Sequence, residues 1–349
     1  MNGFSGVGAP LLVEDEYNPS AFGFQEWCSV SNFFDRNPLM GRSGEKTRFE
    51  AFEGDSSEIT VAEALKFIEH QAKAKQPFFA VVWFGSPHSP FAASEEDMAG
   101  FGPGVSREHH GEIVAMDRAV GTLRAGLRAA GVAENTLLWY SSDNGGLPGI
   151  KPDTVGGLRG NKNTLYEGGL RVPGILEWPA QVKPRVTEHP ACTMDIFPTI
   201  VDLLGLPEDS LLTPRDGGSL APLLAEEIGP RAKPIPFRHT GRGALVDNAY
   251  KLVVPKVGGD KYELYNLEKD AAETNDLFAA QPEIGQKMRE AFEAWNETVE
   301  ASVAGKDYPE GSVNSGQRGT SSWTGSELYK PYLEELRKRP EYGGRRGAK

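Results

Sequence analysis

The spacing of apolar residues along the chain predicts a succession of helices. Residues 57–75 carry apolar side chains at helical spacing with charged side chains between them, which is typical of an amphipathic helix. Residues 107–130 predict a second long helix, which ends before Gly131. Two further helical patterns cover residues 194–205 and 283–299.

Short apolar runs between these helices predict β-strands. The run from Phe78 to Phe84 is continuous and rich in β-forming residues, which is typical of a strand covered on both faces. Two more strands are predicted around residues 136–140 and 174–178. Strands that alternate with helices at this spacing predict an α/β domain with a mainly parallel sheet flanked by helices. In such a domain, ligands bind beyond the carboxyl ends of the strands.

The pattern changes after about residue 225. Residues 242–255 and 260–270 predict antiparallel strands, and the helix over residues 283–299 follows them. We therefore expect three parts: the α/β domain over residues 1–225, a smaller α+β subdomain over residues 226–304, and a polar tail over residues 305–349.

The composition of the chain limits the kinds of molecule and membrane that it is expected to bind. The chain has 349 residues and a formal net charge of -12, which argues against general binding to nucleic acid or to anionic membranes. It contains no apolar run of about 18 residues, so no transmembrane segment is predicted. As written, the chain has no secretory signal and is expected in the cytoplasm; a leader ahead of it would make it periplasmic or secreted.

The strand predicted around residues 136–140 ends in Asp143 and Asn144, followed by two glycines. A carboxylate and an amide carbonyl are hard oxygen donors, which suit calcium or magnesium. Adjacent side chains converge on one ligand only where the strand finishes and the backbone turns, and Gly145-Gly146 permits such a turn. The alternative is a plain Asn-Gly turn with no ligand.

Two other side chains are candidates for anion chemistry. His88 lies just past the Phe78–Phe84 run, where an imidazole is able to donate a proton to a leaving group or to bond an anion. Lys162 lies in a glycine-bounded loop and is a point charge suited to a sulfate or phosphate group. Arg171 is a further candidate, or else a partner of Glu167. The alternatives are a loop histidine without a role and solvated charges.

Several segments together resemble the sulfatase family of the alkaline phosphatase superfamily, in the family's order and roughly its spacing. The resemblance covers about residues 10 to 300. The segments that carry it are residues 77–91, 115–146, 156–180, 194–205 and 262–277.

The resemblance implies a role for each matching residue. Asp143 and Asn144 would be calcium ligands. His88 would contact the sulfate ester and help protonate the leaving oxygen, and Lys162 would bind the sulfate oxygens. The smaller C-terminal unit would match the family's antiparallel subdomain.

The chain also departs from the family's pattern. It contains no Asp-Asp pair, no Cys-x-Pro-x-Arg motif and no Lys-Trp-His segment. The resemblance implies that an oxidised cysteine of the missing motif, formylglycine, is the nucleophile, and neither Cys28 nor Cys192 stands in such a motif. In the family these elements precede everything matched here, so we expect an N-terminally truncated sulfatase that lacks a nucleophile and is inactive alone.

The resulting hypothesis is a sulfuric ester hydrolase of the arylsulfatase type, assisted by calcium. Its partner would be a sulfated small molecule or a sulfated glycan. One alternative is a phosphodiesterase or phosphonate monoester hydrolase of the same superfamily, which shares the cleft architecture. Another is a non-catalytic remnant that binds sulfated ligands.

Overall fold

The computed structural model describes residues 8–32, 36–306, 323–339 and 342. Its α-helices, numbered α1 to α8, are Ser56–Ala74, Glu95–Met98, Arg107–Ala129, Glu167–Leu170, Ile196–Leu203, Ala221–Ala225, Pro282–Val303 and Leu333–Leu336. Its strands, numbered β1 to β9, are Cys28–Ser29, Leu39–Arg42, Phe49–Ala51, Leu138–Ser141, Gly174–Glu177, Ile235–His239, Arg242–Asp247, Tyr250–Val254 and Glu263–Asn266. Short 3₁₀ helices cover Pro19–Phe22, Ala133–Asn135, Thr193–Asp195, Glu208–Ser210, Trp323–Gly325 and Glu327–Tyr332. None of the helices in these described ranges is both long and apolar enough to cross a membrane.

The chain divides into two compact units. The first consists of residues 1–133 and 317–349, and the second of residues 134–316. The boundary predicted near residue 225 lies inside the second unit, which contains the β4–β5 pair as well as the four-stranded sheet β6 to β9. The first unit therefore carries His88, and the second carries the strand end at Asp143.

Helices α1 and α3 form the main helical layer of the first unit. Helix α1 begins after Asp55, whose carboxylate accepts a hydrogen bond from the Ser57 N–H at 2.8 Å, a standard N-cap. Arg118 of α3 ties the helices together, because it donates to Glu58 of α1 at 2.6 Å and to Asp97 of α2 at 2.7 Å. Both predicted long helices are confirmed to within one residue at each end.

The apolar run from Phe78 to Phe84 is not a strand in the described structure. Residues 77–84 form no backbone hydrogen bond with any described residue. Phe78 packs edge-on against Phe67 of α1, but Val81 and Trp83 are 42% and 80% exposed. The prediction of a strand covered on both faces is therefore wrong here, because such a strand needs neighbours on two edges and two faces, and the described residues supply little more than α1.

Every pair of strands among the described residues is antiparallel. The mainly parallel sheet expected from the helix–strand alternation is not found there. The reason is local: parallel pairing requires two strands joined by a crossover helix, and the run before α3 is not assigned as a strand. Strand β4 instead pairs with β5, so that Ser141 lies opposite Gly174.

The core of the second unit lies between the four-stranded sheet and α7. The predicted antiparallel strands and the helix after them are confirmed. Leu252 and Leu264 of adjacent strands pack against Met288 and Phe292, which are four residues apart on one face of α7. Gly243 of β7 must lack a side chain, because a Cβ atom there would clash with the Phe292 ring.

The described end of the predicted polar tail belongs to a folded core. Trp323, Tyr329 and Leu336 are buried together with residues 9–12 and β2 in the first unit. The Tyr329 hydroxyl donates to the Pro10 carbonyl at 3.0 Å. The composition of residues 305–349 does not indicate this core, because a few large apolar side chains are scattered among many polar ones.

We predict that the exposed side of the Phe78–Phe84 run drives self-association of the purified protein, since it offers apolar side chains beside unpaired backbone. Replacing Val81 and Trp83 with lysine should reduce aggregation several-fold at micromolar concentration, as measured by light scattering. The free energy of unfolding should change by no more than about 0.5 kcal/mol, as expected for surface positions.

The control is Leu328→Lys, which removes an apolar side chain of comparable exposure (41%) outside the run. It should leave aggregation unchanged. Equal improvement from both variants would show that general charge, not this segment, governs solubility.

Candidate functional site

Strand β4 ends at Ser141 and delivers Asp143 and Asn144 into a loop. The Ser142 hydroxyl donates to the Asn144 carbonyl at 3.0 Å, which tightens the turn. Asp143 is exposed and Asn144 is half-buried. Within the described part of the chain, neither side chain bonds to another residue. Both side-chain oxygens are therefore available to a ligand.

The two glycines after Asn144 allow two loops to touch through their backbones. The Gly145 N–H donates to the Gly169 carbonyl at 3.0 Å. A Cβ atom on Gly145 would clash with the Gly168 carbonyl oxygen. Neither Gly145 nor Gly146 has a positive φ, so the turn itself does not demand glycine. Gly145 therefore serves the close approach of two main chains, whereas a Cβ atom on Gly146 would meet the Thr154 side chain.

The second of these loops presents Lys162. The Lys162 N–H donates to the Gly146 carbonyl at 2.8 Å, which places it beside the Asp143–Asn144 turn. A tight turn supports it: the Thr164 N–H donates to the Asn161 carbonyl at 2.9 Å, and the Thr164 hydroxyl donates to the same carbonyl at 2.7 Å. The Lys162 side chain is half-buried and forms no ion pair with any described residue. Its ammonium group is thus able to bind an anion.

His88 lies in the first unit, whereas Asp143, Asn144 and Lys162 lie in the second. The backbone N–H of His88 donates to the Gly85 carbonyl at 3.1 Å. Its ring Nδ1 lies 2.8 Å from the Ser89 carbonyl. Because a carbonyl oxygen only accepts, Nδ1 carries the hydrogen of the neutral ring. Nε2 of the neutral ring is then a hydrogen-bond acceptor.

A buried ionic cluster holds the Lys162 loop to the sheet. The Lys251 ammonium of β8 lies 2.8 Å from Glu167 Oε1 and 2.9 Å from Glu273 Oε1. The Glu167 N–H also donates to Glu273 Oε2 at 2.6 Å. The side chains of Lys251, Glu167 and Glu273 are 0%, 8% and 0% exposed, respectively. Burial raises the pKa of Glu273, and the Lys251 charge opposes that shift.

Arg159 ties the start of the same loop to the sheet. Its guanidinium stacks over the Tyr166 ring at 3.8 Å and donates to the Tyr265 hydroxyl at 2.8 Å and to the Glu273 carbonyl at 3.1 Å. Burial, together with the Glu263 carboxylate, raises the pKa of Tyr265, so its hydroxyl stays protonated and donates to Glu263 at 2.7 Å.

The sequence alone does not predict the Lys251 cluster or the Arg159 contacts. Lys251 and Glu167 are 84 residues apart, so no local spacing connects them. The one available signal is a lysine inside the otherwise apolar strand Tyr250–Val254. The pairing of Arg171 with Glu167, which the sequence left open, is present but loose, at 3.9 Å.

Asp143 and Asn144 fit part of a calcium site by the chemistry of their donors. Calcium takes six to eight oxygen ligands, and a carboxylate with a neighbouring amide supplies two kinds that it accepts. No group of three or more His, Cys, Asp or Glu side chains in the described ranges is placed to hold a metal. The two residues thus account for a minority of the ligands that such an ion needs.

The two cysteines belong to different units, Cys28 to the first and Cys192 to the second. Cys28 is in β1, and burial raises the pKa of its thiol to about 11, so it is neutral at ordinary pH. Cys192 precedes the 3₁₀ helix Thr193–Asp195, and its N–H donates to the Asp195 carboxylate at 2.8 Å.

Comparison with known proteins gives consistent matches. A family model described as Sulfatase matches residues 11–206, more than half of the chain. A protein named Sulfatase from Formosa agariphila is 29% identical in an alignment of 273 residues that covers 66% of this chain and 48% of that protein. The N-acetylgalactosamine-6-sulfatase of Canis lupus familiaris is 30% identical in an alignment of 220 residues that covers 60% of this chain and 39% of that protein. The chain thus spans about half the length, or less, of these curated relatives.

Solved structures agree. The crystal structure of Ps i-CgsB matches with a TM-score of 0.70 and 25% identity, covering 80% of this chain and 68% of that one. The same protein has been solved in complex with k-i-k-neocarrahexaose. The α/β, alkaline-phosphatase-like fold class predicted from the sequence is confirmed by this likeness.

Proposed function

This chain belongs to the sulfatase family, and we propose that it serves the hydrolysis of sulfate esters in the manner of an arylsulfatase. The predicted family resemblance is confirmed by the match over residues 11–206. The observation that carries the proposal is the loop pair at the end of β4. Its backbone hydrogen bonds set Lys162 beside Asp143 and Asn144, and all three side chains are uncommitted to other described residues.

Lys162 and His88 act on the sulfate group and on the leaving oxygen, respectively. Lys162 binds the sulfate oxygens and stabilises the charge that develops on the transferring group. In its imidazolium form, His88 would donate the Nε2 proton to the leaving oxygen and return to the neutral ring, since the Nδ1 hydrogen is engaged by the Ser89 carbonyl. An alcohol leaves far more readily when it is protonated than as an alkoxide, so this proton transfer lowers the barrier.

Asp143 and Asn144 would hold a calcium ion through their side-chain oxygens. When bound, the ion would supply positive charge that neutralises the sulfate. Further ligands are not assigned among the described residues.

The nucleophile is not identified among the residues of this sequence. It has no Cys-x-Pro-x-Arg motif, and the thiol of Cys28 is neutral and half-buried. We therefore propose that a protein of this sequence alone binds a sulfate group but does not complete hydrolysis, and that the formylglycine of the family is required for turnover.

The substrate class we propose is a sulfated glycan. Two of the matches carry carbohydrate names: an N-acetylgalactosamine-6-sulfatase and a structure with a bound neocarrahexaose. A glycan also suits a loop pair whose uncommitted groups are all polar.

A protein of this sequence should leave 4-nitrophenyl sulfate uncleaved when calcium is present, because the sequence contains no Cys-x-Pro-x-Arg motif to supply the nucleophile. Release of nitrophenol is followed by absorbance against a buffer blank. Turnover above the blank that is lost on Lys162→Met would show that a nucleophile is present after all.

Calcium affinity should depend on Asp143. A site with two protein ligands is expected to bind weakly, with a Kd on the order of 10⁻³ M. Asp143→Asn should weaken binding roughly tenfold, because an anionic ligand is lost, as measured by equilibrium dialysis.

The matched control is Asp260→Asn, which makes the same change at an exposed carboxylate of the same unit. It should bind calcium as the unaltered protein does. If both variants lose affinity equally, the ion is held by net charge and not by the β4 loop.

Sulfate affinity should depend on Lys162. A hydrogen bond to a charged group is worth about 1.5–3 kcal/mol, so Lys162→Met should weaken binding of inorganic sulfate roughly ten- to hundredfold. Calorimetry at constant ionic strength measures this, with Lys183→Met, an exposed lysine of the same unit, as the control. Tighter binding of dimethyl phosphate than of sulfate would favour phosphodiester chemistry.

A further inference from the structure

We propose that Lys251 is a positioning residue for Lys162: together with Glu167 and Glu273, it fixes the loop that presents the sulfate-binding ammonium at the end of β4. The inference rests on the proposed function of Lys162. It assigns a role to a side chain 89 residues away in sequence that touches neither the turn nor any ligand.

The first step is the rigidity of Lys251 itself. It lies in β8, an interior strand of the sheet, opposite Val246 of β7 and Tyr265 of β9. Its backbone is therefore paired on both sides, and its side chain is fully buried. A charge in this position has a fixed location, to which the irregular loop has to conform.

The second step runs from Lys251 to the loop through Glu167. The Glu167 side chain pairs with Lys251, and its N–H donates to Glu273. The next two residues complete the connection: the Gly168 N–H donates to the Arg159 carbonyl at 2.8 Å, and the Gly169 carbonyl accepts from Gly145 at 3.0 Å. A shift of Glu167 therefore displaces the partner of the β4 loop.

The third step is the second anchor, at Arg159. Arg159 and Glu167 bracket Lys162, and both donate to Glu273. The Arg159 guanidinium donates to the Glu273 carbonyl, and the Glu167 N–H donates to the Glu273 carboxylate. The intervening segment is thus held at both ends against one residue. Between those ends, Lys162 itself bonds to Gly146.

The position of the loop depends on Lys251, because the carboxyl groups of Glu167 and Glu273 both lie against its ammonium group. Of the described cations, Lys251 alone is within 3 Å of both Glu167 and Glu273. Arg171 is 3.9 Å from Glu167 and half exposed, so water screens it. Without Lys251, the buried Glu167 and Glu273 carboxyl groups lose the cation that they share, and their rearrangement moves the loop.

The test measures backbone hydrogen exchange in peptides spanning residues 143–147 and 158–170. Lys251→Met should raise exchange at the Gly145, Lys162 and Gly168 amides at least tenfold under conditions where the protein stays folded. Arg231→Met is the control, since it breaks the equally buried Arg231–Asp195 pair elsewhere in the same unit. It should raise exchange near residues 190–196 and leave the loop unchanged.

A double-mutant cycle with inorganic sulfate separates positioning from general stability. Lys251→Met should weaken sulfate binding roughly tenfold in the unaltered protein and have no effect in the Lys162→Met background. An equal loss from Arg231→Met would show that stability alone matters and would overturn the proposal. Unchanged exchange at the three loop amides would overturn it as well.

Two further outcomes are distinguishable. If the unaltered protein binds no sulfate, the proposed function fails, while exchange at the loop amides still decides whether Lys251 fixes the loop. If Lys251→Met does not fold, Glu273→Gln replaces it. That variant keeps an acceptor for the Glu167 N–H but loses the charge opposite Lys251, so exchange at Lys162 should rise severalfold, and no rise would refute the positioning role.

Discussion

The buried contact of Lys251 with Glu167 and Glu273 is the constraint on which the candidate site depends. It joins the most regular part of the second unit, a four-stranded antiparallel sheet, to its least regular part, the loop before β5. Burying three ionisable groups carries a large desolvation cost, which is offset only when each finds a partner. The geometry meets that condition, since the cation faces both carboxyl groups and the Glu167 N–H satisfies a remaining oxygen.

The ionic contact positions the Lys162 loop, but the loop must also come into contact with the end of β4. Glycine at positions 145 and 168 allows this contact, because main chains approach there too closely for any side chain. The two features act separately, because ionic contacts set the position of the loop and backbone hydrogen bonds hold it against β4. Asp143, Asn144 and Lys162 need take no part in holding the structure together, and this is why their side chains are available.

The sequence predicts what depends on local pattern. Helix α1 and the antiparallel C-terminal strands follow from periodicity within a few turns or strands. Asp143 is recognisable because it comes two serines after an apolar run. The failures concern partners that are distant in the chain. The run at Phe78 has the composition of a two-sided strand, although pairing depends on neighbours that periodicity does not reveal. The Lys251 cluster escapes prediction for the same reason, since its members are up to 106 residues apart.

Charge balance explains why a cation belongs in the proposed site. A sulfate ester is an anion, and Asp143 places a second negative charge on the loop next to Lys162. The Lys162 ammonium group neutralises one of these two negative charges. Without a second cation, the sulfate and the Asp143 carboxylate would repel each other at a separation of a few ångströms. A divalent ion held by Asp143 and Asn144, as proposed, would turn the carboxylate from a repelling charge into a ligand. By linkage, calcium and sulfate would then favour each other's binding, and the acidic residue at the end of β4 would be compatible with an anionic substrate.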